Sequence, residues 1–147
     1  MDEKHEARLF ELADLILAIS RHLHAAKAEG ADAWTPIEAA VMRYIDHQPG
    51  ATPTQAARAT QMISSNFSRA LRKLEHKGLV RRVADPGDAR RVRLYPTEKA
   101  GENLGRLQET WSRLLDGAVP DAAEADAVIA ALRRIESRLL GGADGDS

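Results

Sequence analysis

The 147-residue chain is 44% hydrophobic and 29% charged, the balance of a soluble globular domain with enough apolar side chain for a core. It has no cysteine, which excludes disulfide frameworks, thiolate metal sites and thiol redox sensing. With aromatics at only 4%, the core must be built from Leu, Ile, Val and Ala, which favours helices.

The net charge of −1 conceals a strong asymmetry. Residues 51–99 hold 11 basic and four acidic side chains, net +7, between flanks of net −4 each. A basic centre on acidic, solvated ends is the electrostatic footprint expected of a nucleic-acid binder. The N-terminus is acidic where a secretory signal would be basic. The apolar-rich stretch Leu9 to Ile19 is interrupted by Glu11 and Asp14 and is too short to span a bilayer. These features predict a cytoplasmic protein with no membrane partner.

Residues 5–28 read as one long helix, with Leu9, Leu12, Ile16, Ile19, Leu23 and Ala26 at spacings of three and four, ended by Gly30. Thr35, Pro36 and Glu38 form a second helix start, with Thr35 as cap and Glu38 closing a capping box. That helix is expected to stop near His47, before Gln48-Pro49-Gly50.

A short Ala-rich helix is expected over residues 53–61, then a tight turn and a helix from Ser64 to His76 with Gly78 just past its end. On the latter, Phe67, Ala70, Leu71 and Leu74 share one face. Ser65, Asn66, Ser68, Arg69, Arg72 and Lys73 are left on the outer arc. Residues 79–83 read as a strand and 91–95 as a second strand with alternating polarity, together a hairpin with Pro86-Gly87 and several arginines near its tip. Two further helices carry stripes through Ala100, Leu104, Leu107, Trp111 and Leu114, and through Ala125, Val128, Leu132, Ile135 and Leu139. The Gly-rich tail 141–147 is expected to be disordered.

A short helix, a turn, a second helix and a basic hairpin make a winged helix-turn-helix. The fold class expected is therefore mainly α with a small β-hairpin wing, plus a dimerisation region of terminal helices. The module would span residues 33–96, and residues 1–32 with 97–140 would form the helical dimerisation region. Those terminal stripes exceed what a small winged helix needs to cover itself, and a second copy could bury the excess.

The candidate double-stranded DNA contacts are Ser64, Ser65, Asn66, Ser68, Arg69, Arg72 and Lys73 on the helix and Asp88, Arg90 and Arg91 on the wing. Arg to guanine and Asn to adenine are the pairings that major-groove geometry favours. An arginine at a projecting tip suits a narrow minor groove, where the potential is most negative. Asp88, two residues before Arg90, is expected to hold its guanidinium in one rotamer.

The five histidines show no metal-site spacing, since His22 and His24 fall on different helix faces. Ser64 and Ser65 have no partner histidine, and no nucleophile motif, phosphate loop or carboxylate pair appears, so no enzyme is expected. Trp34, Trp111 and Tyr44 are candidates to line a ligand pocket, with a hydrophobic staple (Trp34) and core or dimer interface (Trp111) as the alternatives. A winged-helix dimer serving as a protein-protein adaptor is the alternative function. The polar arc Ser65, Asn66, Arg69, Arg72 argues against it, because adaptor surfaces are more apolar.

Gln55 to Val80, with Ser64-Ser65-Asn66-Phe67-Ser68-Arg69-Ala70-Leu71-Arg72-Lys73-Leu74-Glu75 and Lys77-Gly78-Leu79-Val80, resembles the helix-turn-helix of the MarR family of bacterial regulators. Asp85 to Leu94 is similar to that family's wing, with its Asp-x-Arg at Asp88 and Arg90. Thr97 to Gly101 and Trp34-Thr35-Pro36 extend the likeness over roughly residues 8–140. The resemblance implies a homodimer built from the first and last helices and bound to a pseudo-palindromic operator, usually as a repressor. It further implies a small-molecule effector, often phenolic or lipophilic, that releases DNA from a pocket between the dimerisation and DNA-binding parts. Two residues depart from the pattern. Ile63 stands where the family often has a capping Ser or Thr, so the cap is expected at Ser64, and Gln61 stands where a turn glycine is common.

Overall fold

A computed structural model describes residues 1–28 and 34–142. Eight elements follow in order: α1 (Glu3–Ala28), α2 (Pro36–His47), α3 (Pro53–Ala59), α4 (Ser64–His76), β1 (Val80–Asp85), β2 (Asp88–Pro96), α5 (Glu98–Leu115) and α6 (Ala122–Gly141). The chain divides into two compact units, Met1–Trp111 and Ser112–Ser147. The expected stop at Gly30 lies outside the described residues, as does most of the expected disordered tail. Gly141 itself closes α6, so the helix runs one residue into that tail.

Local signals account for the short elements. Thr35 caps α2, its hydroxyl accepting the Glu38 N–H at 3.1 Å, and Pro36 presets the first turn. The expected capping box does not close. The Glu38 side chain turns into the protein instead, only 3% exposed, because a cationic partner is available there. At α3 the full reciprocal box forms: Thr52 Oγ1 accepts from the Gln55 N–H, and Gln55 Oε1 accepts from the Thr52 N–H. Gly78, at φ +74°, takes the left-handed turn that ends α4.

The core of the first unit lies among α2, α4, the hairpin and the start of α5. Val41, Met42 and Ile45 of α2 meet Phe67, Ala70, Leu71 and Leu74 of α4, with Ala56, Leu79, Val80, Leu94 and Ala100 completing it. All four predicted residues of the α4 inner face are buried. Ala51 bridges Leu94: the Leu94 N–H donates to the Ala51 carbonyl and the Gly50 N–H to the Leu94 carbonyl, each at 2.8 Å, which ties the loop before α3 to the wing.

Gly50 makes that crossing possible. Its φ is +91°, and a Cβ there would sit 3.3 Å from the Tyr95 hydroxyl.

The strands are antiparallel and longer than the sequence suggested, because the turn between them is only Pro86-Gly87. Register holds from Val80↔Pro96 to Ala84↔Val92 and then jumps to Asp85↔Asp88, so Ala89, Arg90 and Arg91 have no partners across the ladder. A bulge of this kind raises the local twist and bends the strand that carries it.

Candidate nucleic-acid interface

On α4 the packing of Phe67, Ala70, Leu71 and Leu74 dictates what faces solvent. Ser64, Ser65, Asn66, Ser68, Arg69, Arg72 and Lys73 are all exposed, as the sequence predicts. The helix thus presents hydroxyls and an amide in its first turns and cations further along. Arg72 lies back on the helix, its Nε donating to the Ser68 carbonyl at 3.3 Å. Lys73 Nζ stands 4.0 Å from the Glu38 carboxylate.

The cap expected at Ser64 is not there. Ser64 is the first helical residue, and Ile63 occupies the N-cap with an extended backbone (φ −65°, ψ 146°) and no side-chain cap bond. The turn before it is accommodated by Gln61, which takes a left-handed φ of +56° where a glycine would be unstrained.

Three contacts hold the C-terminal end of α4. Lys77 Nζ donates to Glu38 Oε2 at 2.8 Å, Lys99 Nζ donates to the Lys77 carbonyl at 2.7 Å, and Thr97 Oγ1 donates to the Gly78 carbonyl at 2.6 Å. The first of these joins α2 to the end of α4 through a buried carboxylate. The Arg82 guanidinium pairs with Glu75 and links β1 to α4. None of these contacts was read from sequence. The Thr52-x-x-Gln55 spacing was a legible capping signal, whereas the Glu38–Lys77 pair spans 39 positions with no local pattern.

On the wing, Asp88 does not hold the Arg90 guanidinium. Its Oδ1 accepts the Arg90 backbone N–H at 3.0 Å. The pair is an Asx-type turn, so the carboxylate shapes the backbone under the arginine instead of its rotamer. Asp85 does the same for the turn, accepting from the Gly87 N–H at 3.1 Å, and it also pairs with Arg93 at 3.2 Å. The Gly87 N–H, and after it the Arg93 charge, hold the Asp85 carboxyl below the usual carboxylate range. Arg93 in turn donates to the Gly50 carbonyl at 3.0 Å. Arg93 is thus a strut of the wing, while Arg90 and Arg91 are exposed on its bulge.

Trp34 and Trp111 both line a cavity of about 670 Å³ whose walls include Met42, Arg43, His47 and Leu107. Trp111 Nε1 donates to the Leu23 carbonyl at 3.0 Å, leaving its ring against the cavity. Trp34 also packs against the core, and Tyr44 lies against the core without lining this cavity. Among the described residues no cluster of His, Asp or Glu could hold a metal ion. No helix among them is long and apolar enough to cross a membrane.

Comparison with known proteins bears on this arrangement. A family model described as MarR family matches residues 35–91. The transcriptional repressor CouR, solved bound to a 23-mer DNA duplex, is 26% identical with a TM-score of 0.69, over 92% of this chain and 96% of that one. A mutant of MepR from S. aureus, solved bound to an oligodeoxyribonucleotide, is 25% identical with a TM-score of 0.60, over 87% and 97%. A MarR family protein from Bacillus stearothermophilus shares the fold at 20% identity and a TM-score of 0.71, over 95% and 98%. No curated protein sequence matches the chain. The matched segment covers the capped α2, the helix pair and the wing up to Arg91, and the chain has the winged helix-turn-helix fold of the solved regulators it resembles.

Proposed function

We propose that the protein is a transcriptional regulator that binds double-stranded DNA as a homodimer, acts as a repressor on a pseudo-palindromic operator and is released by a small ligand. The observation that carries this reading is the pairing of a solvent-facing arc, Ser65, Asn66, Ser68, Arg69, Arg72 and Lys73, with an arginine-bearing bulge on the wing. Both lie in the stretch of net charge +7, and CouR and MepR were solved on DNA. Residues 33–96 are the DNA-binding module in this reading, with 1–32 and 97–140 pairing the subunits. Dimerisation is supported by the exposed Leu9, Leu12 and Ile19 on α1 and by Val128, Leu132 and Leu139 on α6. The cavity beside Trp34 and Trp111 is large enough for a drug-sized ligand and supports release by an effector. The protein works by binding, not by catalysis, and it resides in the cytoplasm.

In vitro selection of bound duplexes, followed by a salt titration, tests the reading. Two half-sites with centres about 10 base pairs apart are expected, with affinity falling steeply as salt rises. Failure to bind any duplex in dilute buffer, or an affinity flat with salt, would refute it.

A further inference from the structure

Between residues 51 and 96 the described chain exposes one large apolar side chain, Ile63, at 66%. It stands at the N-cap of α4 on extended backbone, without a cap bond. Met62 before it packs against the core. Ile63 is instead turned outward, at the same helix end as the exposed Ser65 and Asn66. This placement has two costs. A Ser, Thr, Asp or Asn would have capped the helix, and a bare branched apolar side chain remains in water. Contact with an apolar group on the bound partner relieves the second cost.

In the major groove that group is the 5-methyl of thymine, which apolar side chains contact. A protein partner would require an apolar surround, but the exposed Ser65, Asn66 and Arg69 that follow Ile63 on α4 suit a surface that mixes methyl groups with hydrogen-bond acceptors. We propose that Ile63 packs on the 5-methyl group of one thymine in each half-site and so selects thymine there. The inference rests on the DNA-binding reading above.

The test uses the full-length protein and duplexes selected by it, with each dT of the half-site replaced singly by dU, which removes only the methyl group. At one position the wild type is expected to lose about fourfold per half-site, the factor that corresponds to burying one methyl-sized group. Ile63→Ser is expected to bind the parent duplex more weakly by a similar factor and to show no difference between dT and dU. Because serine restores a cap, this variant keeps a melting temperature at or above that of the wild type. Ile63→Val keeps the dU sensitivity. Wild type that binds every dU duplex as tightly as the parent, or Ile63→Ser that retains full sensitivity, overturns the assignment. If wild type fails to bind any parent duplex, the DNA-binding reading itself falls, and this inference with it.

Discussion

Glu38 of α2 and Lys77 at the end of α4 form a 2.8 Å ion pair in which the carboxylate is buried and the ammonium is partly exposed. The two ends of this contact are therefore unequal. Replacing Lys77 by Ala strands a buried charge, with Lys73 at 4.0 Å as its one remaining cationic neighbour among the described residues. Glu38→Gln keeps an acceptor and lets the ammonium rehydrate. Lys77→Ala is expected to cost about 2–3 kcal/mol and Glu38→Gln about 1 kcal/mol or less. Denaturant unfolding of the two variants measures the difference, and equal losses would contradict the asymmetry.

The wing separates charge from shape. Arg90→Ala is expected to weaken duplex binding and to reduce the slope of log affinity against log salt by about one. Asp88→Ala removes the acceptor for the Arg90 backbone N–H. It is expected to weaken binding without reducing that slope, because it removes no cation. Fluorescence anisotropy over a salt series distinguishes the two, and an Asp88→Ala variant that binds like wild type would remove the Asx turn from the account.

Gly50 is constrained twice, by its φ of +91° and by the Tyr95 hydroxyl 3.3 Å from any added Cβ. Gly50→Ala is expected to lose about 1–2 kcal/mol. Adding Tyr95→Phe removes the oxygen but leaves the backbone strain, so most of the loss should persist in the double variant. Complete recovery in thermal unfolding would show that crowding alone was responsible.

Asp85 carries a pH dependence whose sign follows from its lowered pKa. A carboxyl held below its unfolded value, about 3.9, contributes stability that is complete above that value and is lost as pH falls through the folded one. The Gly87 amide resonance is therefore expected to stay constant from neutral pH down to about 5 and to move only in more acid solution. A midpoint above the ordinary carboxylate value would contradict the Gly87 and Arg93 contacts.

How far the chain could be read before its structure depended on the range of each signal. The α4 helix from Ser64 to His76 and its buried face were legible because one amphipathic turn pattern and Gly78 fall within a few residues of each other. The wing was legible as a hairpin, but its strands were set too short. Asp85, Asp88 and Arg90 look like loop formers, yet they sit at a bulge that lets the ladder continue to a two-residue turn. Glu38 fits a capping box by spacing, and its true partner is visible only once α2 and α4 cross. The pairing of Asp88 with Arg90 is legible from their spacing but the atom is not, since sequence proximity does not distinguish a backbone N–H from a guanidinium. The left-handed Gln61 shows the same limit, because the turn geometry overrides what its side chain prefers.

The bare leucines and isoleucines along α1 and α6 also bear on dosage. If two chains must meet before either can read a full site, the amount of competent reader rises with the square of chain concentration when chains are scarce. A modest change in synthesis or turnover would then swing occupancy of the target steeply, so that abundance itself acts as a second input beside any effector.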